Sequence, residues 1–134
     1  MSGLQGLFIR KIIVTLVCLC IPLLLFPREV YVYFGIPMED SMIFMRLLGV
    51  AYLALCVGYF SAITALKSNQ KPTAIIDMGL VSNGLAALVF LFYGATGSWQ
   101  NWNLFAQVYM WLIMLGAFYI CIGLFKAKNK YKNA

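Results

Sequence analysis

The chain has 134 residues, of which 63% are hydrophobic and 10% are charged. A soluble domain carries roughly 25% charged residues, so this composition indicates a membrane protein, and four spans of about 20 apolar residues would use most of the chain. The net charge of +6 does not indicate nucleic-acid binding, because the cations lie at the ends of apolar runs, where Lys and Arg set orientation and contact head groups.

Two residue types limit the chemistry. The chain contains no histidine, which excludes His-ligated haem, His-based zinc sites and His general bases. The four cysteines lie inside apolar runs without a CxxC motif, so we interpret them as small core residues: Cys18, Cys20, Cys56 and Cys121. We predict no cofactor, no metal site and no catalytic residue.

The first predicted span covers residues 7–26, with Arg10 and Lys11 snorkelling towards the interface. The stretch LLLFPREV at its end lacks the small residues of a signal-peptidase site, so we expect an uncleaved helix. An aromatic outer loop follows at residues 27–42. Glu39 and Asp40 close that loop, where negative charge suits the start of the second span, residues 43–66.

The second half of the chain repeats this pattern. The polar stretch KSNQKP precedes a third span at residues 73–93, and Asp77 lies one turn inside it. The turn GATGSWQNWN leads to a fourth span at residues 104–125, and residues 126–134 form a basic tail. Short connections make neighbouring helices antiparallel. We therefore predict a single all-α domain, a polytopic transmembrane four-helix bundle.

The cations predict the orientation. Eight of the ten Lys and Arg residues fall on one side of a four-span arrangement, and only Arg28 and Arg46 fall on the other. The positive-inside rule then places both termini in the cytoplasm, and the lipid bilayer of the inner membrane is the expected environment. Four aromatic residues on the opposite side resemble an interfacial belt: Tyr31, Tyr33, Trp99 and Trp102.

Small residues recur on single helix faces and predict packing seams, because they let spanning helices approach closely. The second span carries a row at heptad spacing: Ala51, Ala54, Gly58, Ser61 and Ala65. Similar positions in the third and fourth spans are Gly79, Gly116 and Gly123.

Three polar residues inside the spans are candidates for ligand binding or ion pairing. A deep Arg46 costs about 2.5 kcal/mol or more, so we expect it to pair with nearby acids, while an anion or head-group site is the alternative. Asp77 is expected to remain ionised near Lys67 and Lys71, and Asn83 is expected to act as interhelical glue. The acids that could pair with Arg46 are Glu29, Glu39 and Asp40.

The stretch RLLGVAYLALCVGYFSA, from Arg46 to Ala62, resembles a span of the DoxX-like group of small four-helix bacterial inner-membrane proteins. Members of that group often carry an Arg-x-x-Gly opening, which Arg46 and Gly49 match. The resemblance implies a four-span layout and gives these two residues a structural role. It implies no activity, because the group is functionally diverse.

These observations favour a non-catalytic membrane protein, either an accessory or assembly subunit with a membrane-protein partner or a homo-oligomer, packed through its small-residue seams. The alternative is a carrier or binding protein for a lipid, quinone or similar amphiphile, with Arg46 at the head-group end and Tyr52 and Tyr59 against the tail. A cavity that reaches Arg46 would favour the alternative.

Overall fold

The computed structural model describes residues 3–38 and 41–132, and all regular structure in those ranges is helical. Four helices are long and apolar enough to cross a membrane, which confirms the predicted all-α four-helix bundle. We number the helices α1 (Gly3–Leu25), α2 (Arg28–Tyr33), α3 (Ile43–Lys67), α4 (Thr73–Ala95) and α5 (Leu104–Lys132). Because the long helices alternate in direction, the described ends of the chain share one end of the bundle, here called the termini end; the opposite end is the far end.

Two helix boundaries differ from the predicted ones. Helix α1 begins at Gly3, so its cations lie two turns inside it. Helix α5 continues to Lys132, through most of the segment predicted as a tail. Two contacts, one with α4 and one with the connection before it, hold this extension: Lys128 Nζ lies 2.7 Å from the Asp77 carboxylate, and Lys71 Nζ lies 5.7 Å from the Tyr131 ring.

The bundle consists of two closely packed antiparallel pairs. In the first pair, α1 packs on α3, where the rings of Phe8 and Tyr59 lie 5.5 Å apart. In the second pair, α4 packs on α5, and a Cβ added at Gly79 would lie 2.6 Å from the Leu124 side chain. Glycine therefore permits the close approach of these two helices.

The two pairs meet mainly near the termini end. Tyr59 reaches from α3 to Gly79 of α4, and a Cβ added at Gly123 of α5 would lie 2.8 Å from Leu7 of α1. The buried core cluster occupies the same end: Leu7, Phe8, Tyr59, Ala62, Ile63, Ile76, Ile120 and Leu124. Packing at the termini end therefore holds the two pairs together.

The predicted heptad row on α3 does not pack as a unit inside the single chain. Ala51, Ala54 and Ser61 are exposed, whereas Ala65 is half-buried and Gly58 faces a neighbouring helix, with a built Cβ 3.4 Å from Met78. Burial of the large Tyr59 ring sets the rotation of α3 instead. The face of α3 that carries this ring, and not the heptad row, points into the bundle. That face is Gly49, Cys56, Tyr59, Ala62 and Ile63.

The predicted aromatic belt is only partly exposed. Tyr33 is exposed, but Tyr31 and Trp99 are buried. Trp99 packs at the far end between Phe90 and Trp111, with ring centroids 6.3 and 5.8 Å away. These rings close the far end of the α4–α5 pair.

The glycine contacts predict opposite effects for two substitutions. Gly79→Ala places a methyl group against Leu124 and Tyr59 and should destabilise the fold by about 1–3 kcal/mol. Gly116→Ala meets nothing within 4 Å and should be neutral or stabilising by up to about 1 kcal/mol, because Ala is the better helix former. Unfolding titrations in detergent measure both, and equal stability of the two variants would contradict the packing described.

Candidate functional site

A cavity of about 590 Å³, here called the chamber, lies between the two helix pairs and is lined by α1, α3, α4 and α5. Most of its wall is apolar. Tyr52 and Tyr109 line the chamber further along. The other polar side chains cluster towards the termini end: Arg10, Lys11, Thr15, Ser82, Asn83 and Tyr119. The chamber therefore has one polar end and a long apolar body.

A chain of hydrogen bonds crosses the polar end. Lys11 Nζ donates to Asn83 Oδ1 at 2.6 Å. The Asn83 amide nitrogen donates in turn to the Tyr59 hydroxyl at 3.1 Å and to the Gly79 carbonyl at 2.7 Å. Asn83 and Tyr59 are fully buried. The Asn83 nitrogen donates to groups of α3 and α4, so its oxygen points towards α1. The amide therefore positions the Lys11 ammonium group.

This chain of hydrogen bonds lies deep in the bundle. Lys11, Tyr59 and Asn83 each lie eight to ten residues from the termini end of their helix, which corresponds to about 12–15 Å along the axis. A bilayer core is about 30 Å thick. The lysine therefore lies well inside a helix that is long and apolar enough to cross a membrane, and a cation at such a position is costly to bury and commonly marks a functional site.

The charge of Lys11 is not balanced within residues 3–38 and 41–132. No carboxylate of that range lies within ion-pair distance of Lys11, and the one acid in α4, Asp77, pairs with Lys128 at the surface. The adjacent Arg10 adds a second cation, whose Nη1 donates to the Tyr119 hydroxyl at 3.1 Å. The polar end of the chamber is therefore electropositive.

Thr15 lines the chamber one turn beyond Lys11 on the same face of α1. The residue is 1% exposed, and its Oγ1 has no hydrogen-bond partner in the structure. An unmade hydrogen bond of this kind costs about 1–3 kcal/mol. The hydroxyl is thus a free donor beside the lysine.

Exposed side chains form part of the chamber wall between α1 and α5, and we call this part of the wall the window. The hydrogen bonds between these two helices, Arg10 to Tyr119 and Tyr109 to the Cys18 carbonyl, bound it at two levels. Between these levels the chamber wall includes the exposed Val14 and Leu112. The chamber therefore opens towards the apolar outer surface of the bundle.

Pro22 explains the far edge of this window. Proline has no backbone N–H, so it cannot donate to the Cys18 carbonyl four residues earlier. The helix widens into a π-turn at Leu16–Cys20, and the Tyr109 hydroxyl donates to the Cys18 carbonyl. Freed backbone groups in spanning helices are commonly satisfied in this way by a neighbouring helix.

Arg46 has a different environment from the predicted one. Its Nη1 donates to the Leu23 carbonyl at 2.7 Å and its Nη2 to the Phe26 carbonyl at 2.8 Å. It caps the carbonyl end of α1, where a cation also complements the helix dipole. It does not line the chamber, so no cavity described here places a head group at Arg46.

Of the acids predicted to pair with Arg46, Glu29 is the one that the structure describes, and it does not account for the position of Arg46. Glu29 lies exposed in the first turn of α2, and Arg46 is bonded to carbonyl groups instead. Glu39 and Asp40 lie outside the described residues. Tyr31 adds to the same cap by donating from its hydroxyl to the Pro22 carbonyl at 2.7 Å. Burial raises the pKa of Tyr31, which keeps this donor protonated.

The other predicted site residues have mixed outcomes. Asp77 is half-exposed and pairs with Lys128, not with the predicted Lys67 or Lys71. Asn83 does link helices, but it also presents Lys11 to the chamber. Gly116 lies on the chamber wall with open space before it, so it does not form the predicted seam.

Sequence reasoning missed Lys11 and Thr15. With a helix start at residue 7, Lys11 lies close enough to the interface to snorkel, whereas a start at Gly3 buries it two turns deep. One feature of the sequence could have indicated Lys11: it lies at nearly the same distance as Asn83 from the same end of the bundle. Thr15 carries no signal in a single sequence.

No family model, curated protein or solved structure matches this chain.

The hydrogen-bond chain predicts a large effect of Asn83→Leu. The substitution leaves the Lys11 ammonium without its acceptor and the Tyr59 hydroxyl without its donor. The free energy of unfolding should therefore fall by about 2 kcal/mol or more. Ser82→Ala is the matched control, because its bonds to Asn83 and Gly79 are both long, at 3.4 Å. Equal midpoints for the two variants in a denaturant titration would refute the assignment.

The capping geometry predicts that Arg46→Met destabilises the fold by about 2 kcal/mol, through loss of two charge-assisted hydrogen bonds. Glu29→Gln should change stability by less than about 1 kcal/mol, as for an exposed carboxylate. The same titration measures both. If Glu29→Gln were as harmful as Arg46→Met, the predicted ion pair and not the helix cap would account for Arg46.

Proposed function

We propose that the chain is a non-catalytic membrane protein that binds an amphiphile in the chamber, with the head at Lys11 and the tail along the apolar wall. One observation carries this proposal: a sizeable cavity within the bundle has apolar walls and a few polar groups gathered at one end. Small-molecule sites have this character, with volumes of about 300–1,000 Å³.

The shape of the chamber favours a membrane-derived ligand. Its window faces the surface that four apolar helices would present to lipid, so an amphiphile could enter from the bilayer without crossing water. In this proposal the ligand head lies at the termini end of the chamber, whereas the sequence suggested a position at Arg46. With both termini in the cytoplasm of an inner membrane, as the cation distribution predicts, the head would lie in the cytoplasmic half.

The second candidate is an accessory subunit or a homo-oligomer, and one observation favours it. Ala51, Ala54 and Ser61 are exposed on one side of α3, and small residues at the surface of a spanning helix permit close approach of another helix. The two proposals are compatible, because Ala54 and Ser61 do not line the chamber, although Ala51 does.

A chamber-filling variant tests ligand binding. Gly116→Leu should fold normally, since open space lies before the glycine, but should reduce retention of radiolabelled palmitate by purified protein in mild detergent about tenfold or more, because the side chain occupies the tail site. The control is Ala74→Leu, which adds the same side chain at an exposed position of α4. Equal retention by both variants and the parent chain would contradict the proposal.

A further inference from the structure

We infer that the chamber selects a single-chain amphiphile whose head is an oxyanion, a carboxylate or a phosphate monoester, held by Lys11 and Thr15. This inference rests on the proposed function and specifies its ligand class. It is carried by an intramembrane cation without a carboxylate partner in the described ranges and by a buried hydroxyl without any partner, both on one face of α1.

Charge selects the anion. The Lys11 ammonium bonds to a neutral amide oxygen, which accepts a hydrogen bond but does not neutralise a charge. Arg10, beside it at the window, contributes a guanidinium group as the second cation. Two cations at one end of a low-dielectric cavity attract an anion strongly and repel an ammonium head.

Hydrogen-bond capacity selects an acceptor. An ammonium group has three N–H donors, and Asn83 takes one of those of Lys11. Two remain, and the Thr15 hydroxyl adds another. Ionised carboxylate and phosphate oxygens only accept hydrogen bonds, so they can use these donors together. A neutral alcohol offers one oxygen and no charge.

Asn83 does not compete for such a head. Its nitrogen is committed to Tyr59 and Gly79, and its oxygen to Lys11. Asn83 is therefore a positioning residue: it orients the ammonium group towards the chamber without contacting the ligand.

The volume favours one chain. A chamber of about 590 Å³ lies within the range of about 300–1,000 Å³ that is typical of small-molecule sites. One long alkyl chain with a small head suits a site of this size, whereas a phospholipid with two chains and a glycerol head is considerably larger.

The test compares palmitate, hexadecyl phosphate and hexadecanol on the full chain in mild detergent. We expect one or both anions to bind about tenfold or more tightly than hexadecanol. Lys11→Met should reduce anion binding to the level of hexadecanol, while hexadecanol binding stays unchanged. Lys11→Arg keeps the charge and the donors, so it should retain a preference for the anions.

Thr15→Val provides a second probe that removes no hydrogen bond from the fold, because Thr15 Oγ1 has no partner. It should weaken anion binding about fivefold, as expected for one hydrogen bond, and leave hexadecanol unaffected. Lys71→Met is the matched control for loss of an exposed cation outside the chamber, and it should change neither affinity.

The outcomes separate the two proposals. Equal binding of hexadecanol and the anions, unchanged by Lys11→Met in folded protein, would overturn the oxyanion inference and leave amphiphile binding in place. Tighter binding of a two-chain anionic phospholipid than of palmitate would overturn the single-chain inference. Absence of binding for every probe, with no effect of Gly116→Leu, would overturn the proposed function itself.

Discussion

The hydrogen-bond chain from Lys11 through Asn83 to Tyr59 is the constraint on which the rest of the bundle depends. It joins α1, α4 and α3 in an apolar interior, where an unpaired polar group is costly. On its termini side the helices are tightly packed, with Phe8 against Tyr59 and Gly79 against Leu124. On its other side they separate and leave the chamber. The polar groups thus mark the boundary between core and cavity.

Irregularities in α1 shape the far part of the chamber. Pro22 removes one backbone donor, the π-turn widens the helix, and Tyr109 satisfies the Cys18 carbonyl. At the end of the same helix, Arg46 and Tyr31 satisfy three further carbonyl groups. Backbone polar groups in a membrane must find internal partners, and here side chains of α2, α3 and α5 supply them.

Hydropathy and charge were sufficient to predict four helices, because each apolar run matches the bilayer thickness and polar breaks separate the runs. They were insufficient for the site. Arg46 is close in sequence to several acids, yet its partners are carbonyl groups, which no sequence pattern reports. The depth of Lys11 depends on whether α1 begins at Gly3 or four residues later. The orientation of α3 depends on where the Tyr59 ring fits.

The cation at the chamber and the capping cation have different physical roles. Arg46 has two acceptors and stabilises a helix end, whereas Lys11 has one neutral acceptor and faces a cavity. The proposal that the chamber binds an anionic amphiphile follows from that difference. It also explains a buried threonine hydroxyl that has no hydrogen-bond partner among the described residues.

Native mass spectrometry of the chain released from nanodiscs tests this account most directly. We expect the parent chain to carry a co-purifying single-chain anionic lipid that is absent from both Lys11→Met and Gly116→Leu. A parent chain that carries the same lipids as Gly116→Leu would contradict the account, as would a bound lipid that is neutral or has two chains.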